Sequence, residues 1–195
     1  GCDSLEKMEL AKDNVNLLLE DDCLYSKDKT TLYLMLPYRE KDTYSMPSTV
    51  TDIAEYAFWN CQNVKTISLS SHLEEIPDYA FDSNFDLAEI RILGELTHVG
   101  IYAFGGTLFA LNMENYVDGC LYVGNVLVSV DNHAYSITVR EGTVAIAGGT
   151  FQNSRIESLI LPDSLVSIGF EAFRNCDSLT ELHLPRGLVE LDEGA

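Results

Sequence analysis

Basic residues are scarce in this chain of 195 residues: 12 Lys and Arg stand against 31 Asp and Glu, for a formal net charge of −19. A polyphosphate is held by cations that displace its condensed counterions, so a chain this acidic repels nucleic acid and anionic lipid alike. Long apolar runs are missing too. The longest, residues 17–19 and 32–36, fall far short of the roughly 20 residues a membrane helix requires, and no membrane insertion is expected. The opening Gly1-Cys2-Asp3-Ser4 lacks the basic region and apolar run of a secretory signal, so any targeting segment is expected outside this chain. Cys2, Cys23, Cys61, Cys120 and Cys176 are odd in number, far apart and without a C-x-x-C pair. They read as buried thiols, not as a disulfide framework or a zinc site.

Catalytic signatures are equally absent. There is no Gly-rich phosphate loop, H-E-x-x-H or G-x-S-x-G, and none of His72, His98, His133 and His183 has a second His three or four residues on to form a ligand pair. No catalytic residue, cofactor or metal is assigned, and the chain is expected not to be an enzyme. Asp82-x-Asn84-x-Asp86 has the first spacings of a calcium loop, but Leu87 stands where that loop needs Gly and Leu93 where it needs Glu, so it reads as a solvated turn. An active site would need a polar pocket where inserts meet the repeats, for instance one collecting Asp118, Asp131 and His133.

What is present is a repeat. With 46% hydrophobic residues the chain can bury a core as one domain, and its period is 23. Ala57-Phe58, Ala80-Phe81 and Ala103-Phe104 follow one another at that interval, and Thr150-Phe151 and Ala172-Phe173 continue the series. Between them lies a second figure: Val64-x-x-Ile67-x-Leu69, Leu87-x-x-Ile90-x-Ile92, Ile156-x-x-Leu159-x-Leu161 and Leu179-x-x-Leu182-x-Leu184. Its last positions alternate as in a short strand with one buried face. A third, Leu73-x-x-Ile76, Leu96-x-x-Val99, Leu165-x-x-Ile168 and Leu188-x-x-Leu191, closes each unit. Each repeat is therefore expected to be strand, bend, apolar return and a short helical or irregular turn, stacked into an α/β repeat solenoid because no single repeat buries its own apolar edge.

Two segments break the period. Asp22-Cys23-Leu24-Tyr25 followed by Leu32-Tyr33-Leu34 parallels Gly119-Cys120-Leu121-Tyr122 followed by Val126-Leu127-Val128, and Lys27-Asp28-Lys29 or Gly124-Asn125 between the runs reads as a hairpin turn. The expected layout is one solenoid over 1–195: a partial repeat at 1–22, a hairpin insert at 23–45, repeats at 46–118, a second insert at 119–140, and repeats at 141–195. Cys2-Asp3-Ser4-Leu5-Glu6-Lys7-Met8 aligns with Cys176-Asp177-Ser178-Leu179-Thr180-Glu181-Leu182, so the chain is expected to open, and to end, in mid-repeat as part of a longer protein.

Ile-Ala-Glu-Tyr-Ala-Phe-Trp-Asn-Cys at 53–61, Ile-Gly-Phe-Glu-Ala-Phe-Arg-Asn-Cys-Asp-Ser-Leu at 168–179 and Leu-Ile-Leu-Pro-Asp-Ser-Leu at 159–165 resemble the repeats of BspA-type (Treponema-type) leucine-rich-repeat proteins. The resemblance implies a right-handed leucine-rich-repeat superhelix with short parallel strands, on a bacterial surface or secreted protein, monomeric and adhesive. The strand row offers outward residues free of packing duty: Lys7 and Glu9, Thr66 and Ser68, Glu89 and Arg91, Ser158 and Ile160, Glu181 and His183. Curved arrays use such a face for extended contacts, and a protein or glycan on a host or neighbouring cell is the expected partner. The alternative is a structural spacer that displays another domain. Tyr25, Tyr33, Tyr38 and Tyr44 suggest an aromatic contact patch, which pairing across the first hairpin explains equally well.

Overall fold

The computed structural model describes residues 7–37 and 39–195. The chain forms two compact units, one of residues 1–95 with 102–111, the other of residues 96–101 with 112–195.

In the first unit, Leu17–Glu20, Cys23–Ser26 and Thr31–Met35 form an antiparallel meander. Its first turn is made by Asp21 and Asp22, both left-handed at φ 49° and 61°, the pairing that matches strand twist in a two-residue hairpin. The expected hairpin over 23–34 is therefore present, with Leu17–Glu20 as an additional strand. Thr31–Met35 then runs parallel to Asp52–Ile53, so the meander joins the repeat ladder. A second ladder consists of Thr43–Ser45, Thr66–Ser68 and Glu89–Arg91, all parallel, with Thr43 opposite Thr66 and Thr66 opposite Glu89. Tyr44 and Ile67 point into the core. Thr43–Ser45 thus lies within the 23–45 stretch yet pairs as a repeat strand.

The second unit repeats the plan. Cys120–Val123 and Val126–Val130 form a hairpin around Gly124, at φ 62°. Val126–Val130 continues parallel to Ala145–Ile146, then Ser167–Ile168, then Glu190–Leu191. Ser136–Thr138 runs parallel to Ser158–Ile160. Leu127, Ile137, Ile146, Phe151, Ile156, Leu165 and Ile168 build one continuous core beneath these strands.

The Ala-Phe figure is the hinge of every coil. Phe58, Phe81 and Phe151 are completely buried, and the rings stack down the column: Phe58 on Phe81 at 4.7 Å, Phe81 on Phe104 at 5.3 Å, and in the second unit Phe151 on Phe173 at 5.0 Å. Three of these Phe N–H groups donate to the next coil's alanine carbonyl, Phe58 to Ala80 at 2.9 Å, Phe81 to Ala103 at 2.8 Å and Phe151 to Ala172 at 2.8 Å. Met35 takes the same place one period earlier, donating to Ala57 at 2.7 Å.

The α/β expectation is corrected here: the repeats are strand and turn. Two left-handed residues bracket each Ala-Phe, Tyr56 and Asn60, Tyr79 and Ser83, Tyr102 and Gly106, Gly149 and Asn153, Glu171 and Asn175. With φ positive at both ends, the three residues between close a single hydrogen-bonded turn and do not extend into a helix. The one α-helix among the described residues, Leu108–Leu111, lies where the repeat gives way to the second hairpin.

Candidate binding surfaces

The strand residues named from sequence separate into distinct groups. In the first unit Thr66 and Ser68 stand in register with Glu89 and Arg91, and Thr43 and Ser45 complete the row on the far side. Arg91 donates to Glu89 through Nε at 2.8 Å and Nη2 at 3.1 Å, and Thr66 Oγ1 reaches Glu89 at 3.4 Å. The Arg91 hydrogen bonds, with a smaller help from Thr66, hold the Glu89 carboxyl below its ordinary range. In the second unit Ser158 and Ile160 lie opposite Ser136 and Thr138. Glu181 and His183 form an exposed pair at 3.1 Å outside any strand, as do Lys7 and Glu9 at 2.5 Å. Thr43, Ser45, Ser136 and Thr138 were absent from the sequence reading, although Thr43-x-Ser45 precedes Thr66-x-Ser68 by one period.

The proposed calcium spacing is taken apart by depth. Asn84 is fully buried, and its Oδ1 accepts the Cys61 backbone N–H at 2.5 Å. It is no solvated turn residue. Asp86 accepts from the Asn63 N–H at 3.3 Å, and Asp82 from the Ser83 hydroxyl at 2.8 Å. Two side chains committed to backbone N–H groups of the preceding coil and a third to a neighbouring hydroxyl do not converge on an ion, and no group of His, Cys, Asp or Glu able to hold a metal occurs among the described residues. His133 and Asp131 form an exposed turn, with the His133 N–H donating to Asp131 at 2.9 Å. That hydrogen bond leads the causes that hold the Asp131 carboxyl below its usual range.

Cys23, Cys61 and Cys120 are buried free thiols, as expected, while Cys176 is half-buried. Desolvation raises all four, Cys23 to about 11, which disfavours the thiolate. Cys2 lies outside the described residues.

The tyrosines rearrange the aromatic expectation. Tyr25 and Tyr44 are buried and share a hydroxyl hydrogen bond of 2.7 Å. Beside them, Arg39 lies over Tyr44 at 5.3 Å and bonds Asp21 at 3.1 Å. They are core, not contact patch, and Tyr38 is outside the described residues. Tyr33 is exposed, and it opens a row that sequence reading missed: Tyr33, Tyr56, Tyr79 and Tyr102 recur at one period, all in the first unit. Tyr56 stacks on Tyr79 at 5.0 Å and 6°, and Tyr79 on Tyr102 at 5.7 Å and 33°. Partial burial, followed by the neighbouring phenols and the carboxylates of Asp78 and Asp82, pushes the Tyr79 hydroxyl upward.

No curated protein matches the sequence. A leucine-rich-repeat protein from Eubacterium ventriosum is similar in structure, with a TM-score of 0.53 at 18% identity over 98% of this chain and 52% of its own. One from Bacteroides ovatus gives 0.44 at 22% over 91% of this chain and 44% of its own, and the T. pallidum leucine-rich-repeat protein gives 0.47 at 22% over 87% and 77%. The chain spans about half the length of the first two, and at 18% identity the likeness to the Eubacterium ventriosum protein is one of fold. A family model for the BspA-type leucine-rich-repeat region matches in 6 copies over residues 40–119 and 133–195. The gap between the matched stretches holds the Cys120–Val123 and Val126–Val130 hairpin. With that match, the Ala-Phe columns and the stacked coils of each unit, the chain belongs to the BspA-type leucine-rich-repeat family.

Proposed function

We propose that the chain is a non-enzymatic binding module of an extracellular or cell-surface bacterial protein, recognising a protein or glycan through the face of Thr43–Ser45, Thr66–Ser68 and Glu89–Arg91. One observation carries the reading: six outward side chains stand in register on three hydrogen-bonded strands whose inward residues Tyr44 and Ile67 are buried and Ile90 partly so. A platform ordered in advance loses little further entropy when a ligand settles on it. Its hydroxyls are small, so a flat partner can approach the backbone closely. The solvent-exposed Glu89–Arg91 pair contributes little to stability and is free to exchange partners. Surface location and adhesion come from the family's character.

The test is a screen of the purified chain against extracellular-matrix proteins and a glycan array, beside a Glu89→Ala/Arg91→Ala double variant and a Glu181→Ala variant. Binding lost in the double variant and kept in Glu181→Ala is the expected result. A ligand bound equally by all three, or none bound, would turn the reading toward a spacer.

A further inference from the structure

The tyrosine row of the first unit is an expensive arrangement that the core does not require. Tyr56, Tyr79 and Tyr102 occupy left-handed backbone at φ 58°, 54° and 51°, a region unfavourable for a bulky side chain. The same turn position is filled by Gly149 and Glu171 in the second unit, so the fold does not require tyrosine there. Tyr33, Tyr56 and Tyr102 are 42%, 46% and 45% exposed. Phe58, Phe81 and Phe104, two residues further along each coil, are by contrast buried in the column.

Charge around the row has one sign. Segments 53–60, 76–83 and 102–106 contain no Lys or Arg but carry Glu55, Asp78 and Asp82. Stacked rings cover one another's faces, which leaves edges and hydroxyls outward. A pyranose needs an open ring face to lie on, and this row offers few. Lysine and arginine need something different: an apolar edge for the methylene stem, a phenol oxygen to accept from the head group, and a carboxylate nearby. Tyrosine is also the residue most able to supply contact area at small entropic cost.

We propose that the row Tyr56, Tyr79 and Tyr102, with Glu55, Asp78 and Asp82 beside it, is a docking surface for a Lys/Arg-rich extended segment of a protein partner. The proposal rests on the binding-module reading but not on the strand face, and the two fail separately.

Fluorescein-labelled oligoarginine is titrated into the purified chain and followed by anisotropy at low and physiological salt. Four variants accompany it: Tyr56→Ser/Tyr79→Ser, Tyr56→Phe/Tyr79→Phe, Asp78→Asn/Asp82→Asn, and the strand-face Glu89→Gln. Circular dichroism establishes that each is folded, and the phenylalanine pair preserves ring stacking should the serine pair not fold. The expected result is a loss of about tenfold or more in affinity for the serine and asparagine pairs, a smaller loss for the phenylalanine pair, and an unchanged Glu89→Gln. Equal weakening by Glu89→Gln and Asp78→Asn/Asp82→Asn, with no effect of the tyrosine changes, would mean attraction by net charge alone and overturns the proposal. So does a neutral glycan that binds where oligoarginine does not and is lost in the tyrosine variants. Loss confined to the strand-face variant leaves the proposed function standing and removes this one.

Discussion

Replacing Phe81 by alanine removes a ring that is fully buried and sandwiched between two others. Phe58 lies 4.7 Å away on one side and Phe104 5.3 Å away on the other, nearly parallel at 1°. Burial of this kind costs about 3–5 kcal/mol to delete, combining lost transfer energy with the cavity left behind. Aromatic neighbours above and below place Phe81 toward the upper end, because each stacked pair contributes roughly 0.5–1.5 kcal/mol beyond area. The cavity cannot close easily, since the Phe81 N–H bond to Ala103 fixes the coil spacing. Phe173 is the comparison: it is half-buried with one stacked partner, Phe151, and its alanine variant should cost less, about 2–3 kcal/mol. Ser68→Ala, on the solvent face of its strand, should stay within about 0.5 kcal/mol. Urea unfolding followed by far-ultraviolet circular dichroism reads all three as midpoint shifts at constant slope. If Phe81→Ala and Ser68→Ala moved the midpoint alike, the register assigned to the column would be wrong.

Three further outcomes are expected. Lys41, then Arg39, hold the Asp21 carboxyl below its usual range against partial burial; a folded pKa below the unfolded one gives stability that is full above about pH 4 and lost as pH falls through the folded value. Asp21→Asn should therefore lessen the drop of the thermal midpoint below pH 4 and leave its profile flat above pH 6. Gly94→Ala places a methyl group 2.4 Å from the Ser71 carbonyl oxygen, a backbone atom that cannot swing away, so overpacking of about 1–3 kcal/mol should show in urea, whereas Gly142→Ala meets no neighbouring atom and should cost only its left-handed backbone. Cys61, buried and raised by desolvation, should resist iodoacetamide in the native state and label only in denaturant, as peptide mapping by mass spectrometry would record.

The core was legible because it obeys a period. Apolar residues at fixed spacing must face the same interior, and Phe58, Phe81, Phe151, Ile67 and Leu165 all do. Backbone handedness leaves no comparable trace: Tyr56 and Asn60 look compatible with a helical turn, and only their positive φ excludes it. Depth was hidden at Asn84 for a related reason. Its Asp-x-Asn-x-Asp surroundings look like a solvated loop, yet it sits at the place Cys61 holds one coil earlier, where a side-chain acceptor meets the preceding coil's N–H. Thr43–Ser45 was concealed by adjacency to the hairpin, whose Leu-Tyr pattern also alternates.

The tyrosine row carries the same period but lines no core, so a pattern of buried positions does not include it. Whether it exists for stability is decidable from opposing magnitudes. Tyr79→Gly relieves a left-handed tyrosine, worth roughly 1–2 kcal/mol, and adds glycine's unfolded-state freedom, a loss of roughly 0.5–1 kcal/mol. It also forfeits stacking on Tyr56 and Tyr102, each at most about 0.5–1.5 kcal/mol and less where rings are partly solvated. The middle of these ranges leaves a net loss of roughly 1 kcal/mol, to which the area covered by the half-buried Tyr79 ring adds, so the variant should unfold within about 2 kcal/mol of the parent in urea. A loss well beyond 2 kcal/mol would make the row a structural ladder that holds coils together. A loss within that bound means that stability selects tyrosine at Tyr79 only weakly, and what remains to explain three strained aromatic residues outside the core is the contact they make with something else.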